Sequence, residues 1–262
     1  MEEHDLIYDW NDIDYSIDRD ESDHPHELWF DDETLRDGLQ SPSARNPTIE
    51  QKIELIDYME KLGIQKVDLG LPGAGPFHID HIDSMLNHMG ENGYNLRPGC
   101  AVRTVVSDIE PLVELQAKHE RQIQASAFLG TSPIRQFAEG WTMGRIMETA
   151  EKAVTFAVDN DIPVMFVTED TTRSKPEEIK QVYARAIELG ADRICVCDTC
   201  GHVTPNGVRK LLEFIQEEVI PDSGVKRREI EVNWHGHQAV SYTHLRAHET
   251  LRYRVCRGVG EK

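Results

Sequence analysis

Two short stretches about two hundred residues apart contain the side chains most able to do chemistry. In residues 31–40, Arg36 stands directly before Asp37, and the second stretch ends in His235 and His237. A carboxylate oxygen and two imidazole nitrogens can bind a divalent cation and leave positions open for a substrate. A guanidinium beside that cation would stabilise a developing oxyanion. The sequence therefore predicts a metal-assisted site, provided that the fold brings the two stretches together.

Each of these residues also has a plainer interpretation. An Arg-Asp pair in a loop is often a surface ion pair worth about 0–1 kcal/mol. A histidine such as His235 at the end of a strand commonly makes ordinary hydrogen bonds. His237 follows it by two residues and points to the same side of an extended chain, which favours the metal interpretation.

The cysteines and the hydropathy pattern indicate the compartment. Five cysteines are an odd number for a disulfide framework, and free thiols are typical of a reducing compartment. Cys195, Cys197 and Cys200 could suggest a metal cluster, but strand alternation favours packed thiols. No apolar run approaches the roughly 20 residues of a membrane helix, and the acidic start is unlike a secretory signal. We expect a cytoplasmic protein.

The net charge of −19 argues against nucleic acid or an anionic membrane as a partner. Residues 1–27 contain eleven acidic residues against one arginine, Arg19. We interpret this region as a solvated, acidic N-terminal arm, from which Trp10 and Ile13 could dock on a neighbouring surface.

From residue 28 onward, apolar strands alternate with amphipathic helices, which is typical of parallel pairing with right-handed crossovers. Thr48 and Gln51 have capping-box spacing at the start of a helix that should end at Gly63. Further helical segments lie at about 107–119, 142–160, 176–189 and 206–219. The predicted strands are residues 28–30, 66–69, 99–102, 123–128, 163–167, 193–197 and 230–234.

An open, doubly wound sheet and a closed barrel both fit this alternation. A dinucleotide-binding sheet needs a glycine-rich turn after its first strand, whereas residues 32–37 are acidic and would repel a pyrophosphate. Polar residues also follow most of the strands, and a barrel collects such residues on one rim. The α/β fold class predicted here is therefore a (β/α)₈ TIM barrel, incomplete, with about seven strands.

Five segments carry a family resemblance. In chain order they are 32–40 (DETLRDGLQ), 67–72 (VDLGLP), 168–173 (TEDTTR), 198–205 (DTCGHVTP) and 235–237 (HGH). With these segments, the chain resembles the DRE-TIM metallolyase superfamily between about residues 28 and 237. The superfamily includes 2-isopropylmalate, homocitrate and citramalate synthases and 3-hydroxy-3-methylglutaryl-CoA lyase. The general character of the chain, with residues 132–135 (SPIR) included, is most similar to the 2-isopropylmalate synthase-like members.

The resemblance implies a metal-dependent acyltransferase that condenses acetyl-CoA with a 2-oxo acid in amino-acid biosynthesis, as in leucine biosynthesis. Asp37, His235 and His237 would bind Mg²⁺, Mn²⁺ or Zn²⁺. Members of the family are commonly homodimers, which implies a homodimer here as well. A CoA-ester lyase of the same superfamily is the alternative, and an inactive metal-binding fragment is a third possibility.

The resemblance also implies catalytic roles for Arg36, Glu169 and Thr199. Arg36 would stabilise the oxyanion, Thr199 would contact the substrate carboxylate, and Glu169 would shape the pocket. Two plainer alternatives stay open: Glu169 could form an ion pair with Arg173, and Thr199 could be a helix N-cap.

Three further residues are expected to bind substrate. Gln40 would orient Arg36 or the acyl group, Asp68 occupies an acidic position of the family, and Arg103 follows a strand. Asp68 could instead cap the turn that follows it.

The resemblance stops after residues 235–237 (HGH). We therefore assign residues 28–238 to a truncated catalytic barrel and residues 239–262 to a tail that looks non-native, with five basic residues against two acidic ones. His244 and His248 could mimic a metal pair, which we consider a minor alternative. We expect such a chain to leave its barrel open and to have little activity.

Overall fold

The computed structural model describes residues 7–11, 29–40, 44–225 and 230–236. Within these residues, seven parallel strands form one sheet in the order of the chain, and each strand pairs with the next. The sheet curls with helices outside it, which confirms the predicted incomplete TIM barrel. The strands are β1 (Asp31–Asp32), β2 (Lys66–Asp68), β3 (Arg97–Arg103), β4 (Gln124–Gly130), β5 (Val164–Glu169), β6 (Arg193–Asp198) and β7 (Glu231–Gly236).

Helices connect the strands, as parallel pairing requires. They are α1 (Ile49–Leu62), α2 (Pro76–Glu91), α3 (Val106–His119), α4 (Pro133–Glu139), α5 (Met143–Asp159), α6 (Pro176–Glu188), α7 (Pro205–Phe214) and α8 (Ile220–Asp222). A π-helical turn, Ile215–Val219, joins the last two helices.

The capping signals predicted for the first helix are confirmed. The Thr48 side chain accepts a hydrogen bond from the Gln51 amide, and the Gln51 side chain accepts one from the Thr48 amide. Gly63 ends α1 in the left-handed conformation, with φ of 75°. Ile56 and Met59 on this helix are buried against the sheet, as the apolar stripe requires.

The first strand differs from its prediction. Residue 28 lies outside the described residues, and Trp29 and Phe30 are not in a strand; the pairing begins at Asp31. The Phe30 carbonyl still accepts a hydrogen bond from the Lys66 amide at 3.1 Å, so the chain approaches β2 before the ladder starts. Apolar composition alone misplaced this strand by a few residues.

Two helices, α2 and α4, have no counterpart among the predicted segments. Each begins with a proline, Pro76 or Pro133, at a position where the missing amide costs nothing. These prolines look like loop residues in the sequence but are helix starts.

The apolar core lies between the sheet and the helices. On β6, Ile194 and Val196 belong to this core, whereas Cys195 and Cys197 face the barrel interior beside Met165. Both thiols are free and buried, which supports the interpretation of packed thiols. Cys200, after the strand, is exposed.

The described part of the N-terminal region packs on the barrel. Trp10 is 4% exposed, which confirms that this residue docks on a neighbouring surface. Ile13 and the whole tail at residues 239–262, with His244 and His248, lie outside the described residues. Among the residues that the structure describes, no helix is long and apolar enough to cross a membrane.

Candidate active site

A cavity of about 290 Å³ opens at the carboxyl ends of the strands, the face on which barrel enzymes place their active sites. Apolar side chains, including Leu71, Phe128 and Met165, form part of its wall. Six of the predicted site residues also line it: Arg36, Asp37, Gln40, Glu169, Thr199 and His235. The fold therefore brings the two distant stretches together.

Arg36 is held by three carboxylates. Its guanidinium forms ion pairs with Glu33, with Asp37 at 3.1 Å and with Asp68 at 3.3 Å. Burial lowers the pKa of Arg36, but the charges of Glu33, Asp68 and Asp37 outweigh this effect and raise it. Arg36 is thus a fixed cation at the cavity wall and is more constrained than in a simple surface ion pair.

Asp68 has the plainer role that the sequence left open, that of a turn cap, and it also pairs with Arg36. Its Oδ1 caps the turn by accepting hydrogen bonds from the Gly70 amide at 3.0 Å and the Ala101 amide at 3.3 Å. Its Oδ2 accepts a hydrogen bond from Arg36 Nε at 3.3 Å. Burial, and then the charge of Glu33, raise the pKa of this carboxyl. Asp68 does not line this cavity, so it supports Arg36 from behind, and its contact with substrate stays a prediction.

His235 at the end of β7 faces the loop after β1. Its Nδ1 lies 3.7 Å from Glu33 Oε1. Glu33 itself was not predicted as a site residue, although it stands three residues before Arg36 in the acidic loop. The number of carboxylates around Arg36 depends on side-chain directions, which the sequence does not show.

The cavity contains donor atoms of the types that bind a divalent cation. Asp37 and Glu33 supply carboxylate oxygens and His235 an imidazole nitrogen, the ligand types preferred by Mg²⁺, Mn²⁺ and Zn²⁺. Within the described residues, no three His, Cys, Asp or Glu side chains are arranged to hold a metal ion. His237, the third predicted ligand, lies outside them.

Two plainer interpretations of the loops after β5 and β6 are wrong. Thr204, and not Thr199, is the N-cap of α7, while the Thr199 hydroxyl accepts a hydrogen bond from the Asp170 amide at 2.9 Å. Arg173 pairs with Asp170 at 2.7 Å instead of with Glu169. The Glu169 carboxylate lies 3.7 Å from the Arg135 guanidinium.

Arg103 turns away from the cavity. Its side chain is 58% exposed and forms two 2.7 Å hydrogen bonds with Asp108 on α3. The predicted contact between Arg103 and substrate has no support in this arrangement and stays a prediction.

A second cavity of about 770 Å³ opens at the opposite, amino-terminal ends of the strands. Charged side chains such as Lys66, Arg193 and Asp31 line it. Its size does not make it the active site, because catalytic loops in barrels follow the carboxyl ends of the strands.

Comparisons with known proteins agree with the fold and the motifs. Residues 27–243 match the HMGL-like family. A homocitrate synthase AksA from Methanopyrus kandleri is 30% identical over 205 residues, which cover 78% of this chain and 49% of that protein. A 2-isopropylmalate synthase from Streptococcus gallolyticus is 32% identical over 209 residues, which cover 79% of this chain and 38% of that protein. The chain thus spans half or less of the length of these curated relatives.

The structural comparison concerns the fold alone. The crystal structure of an HMG-CoA lyase from Brucella melitensis matches with a TM-score of 0.58 at 14% identity. The match covers 79% of this chain and 80% of that chain. Because the family match extends over most of its length, the chain belongs to the HMGL-like family of the DRE-TIM superfamily.

Proposed function

We propose that the chain contains the catalytic barrel of a metal-dependent acyltransferase that condenses acetyl-CoA with a 2-oxo acid. One observation supports this above the others: Arg36, fixed by three carboxylates, lines the same cavity as Asp37 and His235. The names of the curated relatives, 2-isopropylmalate synthase and homocitrate synthase, indicate the same kind of chemistry.

Asp37, His235 and His237 are the residues that would hold a divalent cation, Mg²⁺, Mn²⁺ or Zn²⁺, which when bound supplies Lewis acidity toward the keto oxygen. The Arg36 guanidinium would stabilise the negative charge that develops on this oxygen. Since Glu33, Asp37 and Asp68 already hold the guanidinium, little reorganisation is needed when the charge appears.

The reaction requires several changes of bonding. A base takes a proton from the acetyl methyl group, and the methyl carbon bonds to the keto carbon as the π bond of the keto group opens. The keto oxygen thus becomes an alkoxide, which takes up a proton to give a hydroxyl group. Water then hydrolyses the thioester and releases the CoA thiol.

The other side chains of the cavity would bind and orient the 2-oxo acid. A hydroxyl can accept one hydrogen bond and donate another, so Thr199 could accept from Asp170 and donate to the substrate carboxylate. The Gln40 amide would orient Arg36 or the acyl group. The apolar wall at Leu71 and Phe128 would receive the hydrocarbon part of the acid.

Calorimetry tests the metal site directly. The chain is titrated with Mn²⁺, and then with 2-oxoisovalerate, alongside Asp37→Ala and the exposed control Asp80→Ala. We expect one metal equivalent for the parent and for Asp80→Ala, tighter binding once the oxo acid is present, and no metal binding by Asp37→Ala. Equal metal binding by all three chains would exclude Asp37 as a ligand.

An assay of thiol release tests the reaction. Release of CoA thiol from acetyl-CoA that depends on an added 2-oxo acid would support the acyltransferase. Cleavage of a 3-hydroxy-3-methylglutaryl-CoA ester without such release would favour the lyase. Metal binding with neither reaction would favour the metal-binding fragment.

The buried free thiols Cys195 and Cys197 support our proposal of a cytoplasmic enzyme.

A further inference from the structure

Residues 7–11, here called the arm segment, lie across the two loops that follow β5 and β6. The β5 loop is residues 170–175 and the β6 loop is residues 199–204. The Tyr8 amide donates a hydrogen bond to the Arg173 carbonyl, and the Trp10 indole donates one to the Ser174 carbonyl, both at 3.1 Å. The Trp10 ring is buried, with its centroid 5.5 Å from that of Phe214. The arm segment thus binds two backbone carbonyls of the β5 loop.

Asn11 binds the β6 loop with both ends of its side-chain amide. Its Nδ2 donates to the His202 carbonyl at 3.1 Å, and its Oδ1 accepts from the Thr204 amide at 2.6 Å. The approach is close: a Cβ atom added to Gly207 on α7 would lie 2.6 Å from Asn11 Oδ1 and 2.5 Å from Val203 Cγ2. A side chain at Gly207 would therefore push against Asn11.

The two loops are also joined to each other at the cavity. The Asp170 amide donates to the Thr199 hydroxyl at 2.9 Å, and the Thr172 hydroxyl donates to Asp198 Oδ1 at 2.8 Å. Asp170 has φ of 60°, a left-handed conformation that a residue other than glycine adopts only when its surroundings hold it. The position of Thr199 at the cavity therefore depends on how the β5 and β6 loops are held.

We propose that the arm segment is a positioning element: it holds the β5 and β6 loops together from outside and thereby places the Thr199 hydroxyl for the 2-oxo acid. Asn11 is the main positioning residue, because it satisfies a donor and an acceptor of the β6 loop while Tyr8 and Trp10 hold the β5 loop. This inference rests on the proposed function for the identity of the ligand. The coupling between the arm segment and Thr199 does not depend on that identity.

Amide hydrogen exchange resolved to single residues tests the coupling. Asn11→Ala is compared with the parent chain and with Asn87→Ala, a matched change at an exposed position of α2. Thr204 should lose protection because its amide is bonded to Asn11. The decisive amide is that of Asp170, which bonds to Thr199 and not to the arm segment. We expect it to exchange about tenfold faster in Asn11→Ala, in keeping with the loss of one or two hydrogen bonds.

Binding measurements separate positioning from general stability. In Asn11→Ala, the affinity for 2-oxoisovalerate in the presence of Mn²⁺ should fall about five- to tenfold, while the affinity for Mn²⁺ alone stays that of the parent. The predicted ligand Asp37 follows β1 and the predicted ligand His235 lies at the end of β7, whereas the hydrogen bonds of the arm segment go to the β5 and β6 loops. Gly207→Ala should reproduce the effect from the other side of the contact. Trp10→Phe should have a smaller effect, because the ring remains.

Unchanged protection of Asp170 in Asn11→Ala, with Thr204 exchanging faster, would overturn the proposal, because the arm segment would then hold the β6 loop alone. Equal weakening of Mn²⁺ and 2-oxoisovalerate binding would also overturn it, since this indicates a general loss of structure. If the parent chain binds neither Mn²⁺ nor 2-oxoisovalerate, the proposed function fails, and the exchange rate of Asp170 alone decides whether the arm segment positions Thr199.

Discussion

Lys66 on β2 forms an ion pair with Glu231 on β7, although the two strands are five places apart in the sheet. The Lys66 side chain is almost fully buried, whereas that of Glu231 is about a third exposed. Arg193 on β6 joins the same carboxylate at 3.1 Å and also donates to Gln124 on β4 at 2.6 Å. A layer of charged and polar groups therefore spans the amino-terminal end of the barrel.

Glu231→Gln should destabilise the chain by about 1–3 kcal/mol, because it leaves the buried Lys66 cation without its full counter-charge. This expected loss of stability is smaller than for a fully buried ion pair, because Glu231 is about a third exposed and Arg193 remains nearby. Urea unfolding at neutral pH measures the change. The double variant Lys66→Met, Glu231→Leu should lose less unfolding free energy than the sum of the losses in its two single variants. Strict additivity of these losses would show that the two residues do not interact.

Asp31 should make the stability of the chain depend on pH. Burial, and then the charge of Glu33, raise the pKa of Asp31 from 3.8 to about 7. As the pH rises from 3.8 to about 7, Asp31 loses its proton in the unfolded chain but keeps it in the folded chain. The free energy of unfolding therefore falls over this range and becomes constant above about pH 7.

Asp31→Asn should remove this dependence. The variant should be more stable than the parent by about 1–3 kcal/mol at pH 8, with the difference vanishing near pH 4. Urea unfolding at several pH values measures it, with the exposed Asp159→Asn as the control. A variant that is less stable than the parent at pH 8 would contradict the prediction.

Arg36→Lys should lower the rate of thiol release about 10²- to 10³-fold, in the range found when an oxyanion-stabilising donor is removed. Lysine keeps the charge but cannot contact Glu33, Asp37 and Asp68 in the same fixed geometry. Mn²⁺ affinity should stay close to that of the parent, since Arg36 is not a ligand. The exposed Arg145→Lys serves as the control; full activity of Arg36→Lys would remove Arg36 from the reaction.

Tyr183→Phe should cost about 1–2 kcal/mol of stability. The buried Tyr183 hydroxyl donates to the Cys195 carbonyl and is 2.6 Å from the Thr168 hydroxyl, so it ties α6 to β5 and β6. Phenylalanine fills the same space, and the loss therefore reports the hydrogen bonds. Thermal unfolding measures it against Tyr58→Phe, where an exposed hydroxyl donates to Glu54 and the change should be close to zero.

Local signals in the sequence predicted those features that depend on residues close together in the chain. The capping box at Thr48, the stop at Gly63 and the alternation of strands and helices were all correct. Proline and short apolar runs are more ambiguous. Pro76 and Pro133 began helices that have no counterpart among the predicted segments, and the apolar residues Trp29 and Phe30 precede the first strand instead of forming it.

The motifs in the sequence were enough to identify the family and to predict six residues that line one cavity, because residue types and their spacing can be read directly from the linear chain. The three carboxylates around Arg36, the ion pair between Lys66 and Glu231, and the docking of Trp10 beside Ser174 depended on the tertiary structure. These contacts join residues whose separation in space is set by strand register and by the curl of the sheet. Such distances arise from the packing of the whole barrel, which no local pattern in the chain specifies.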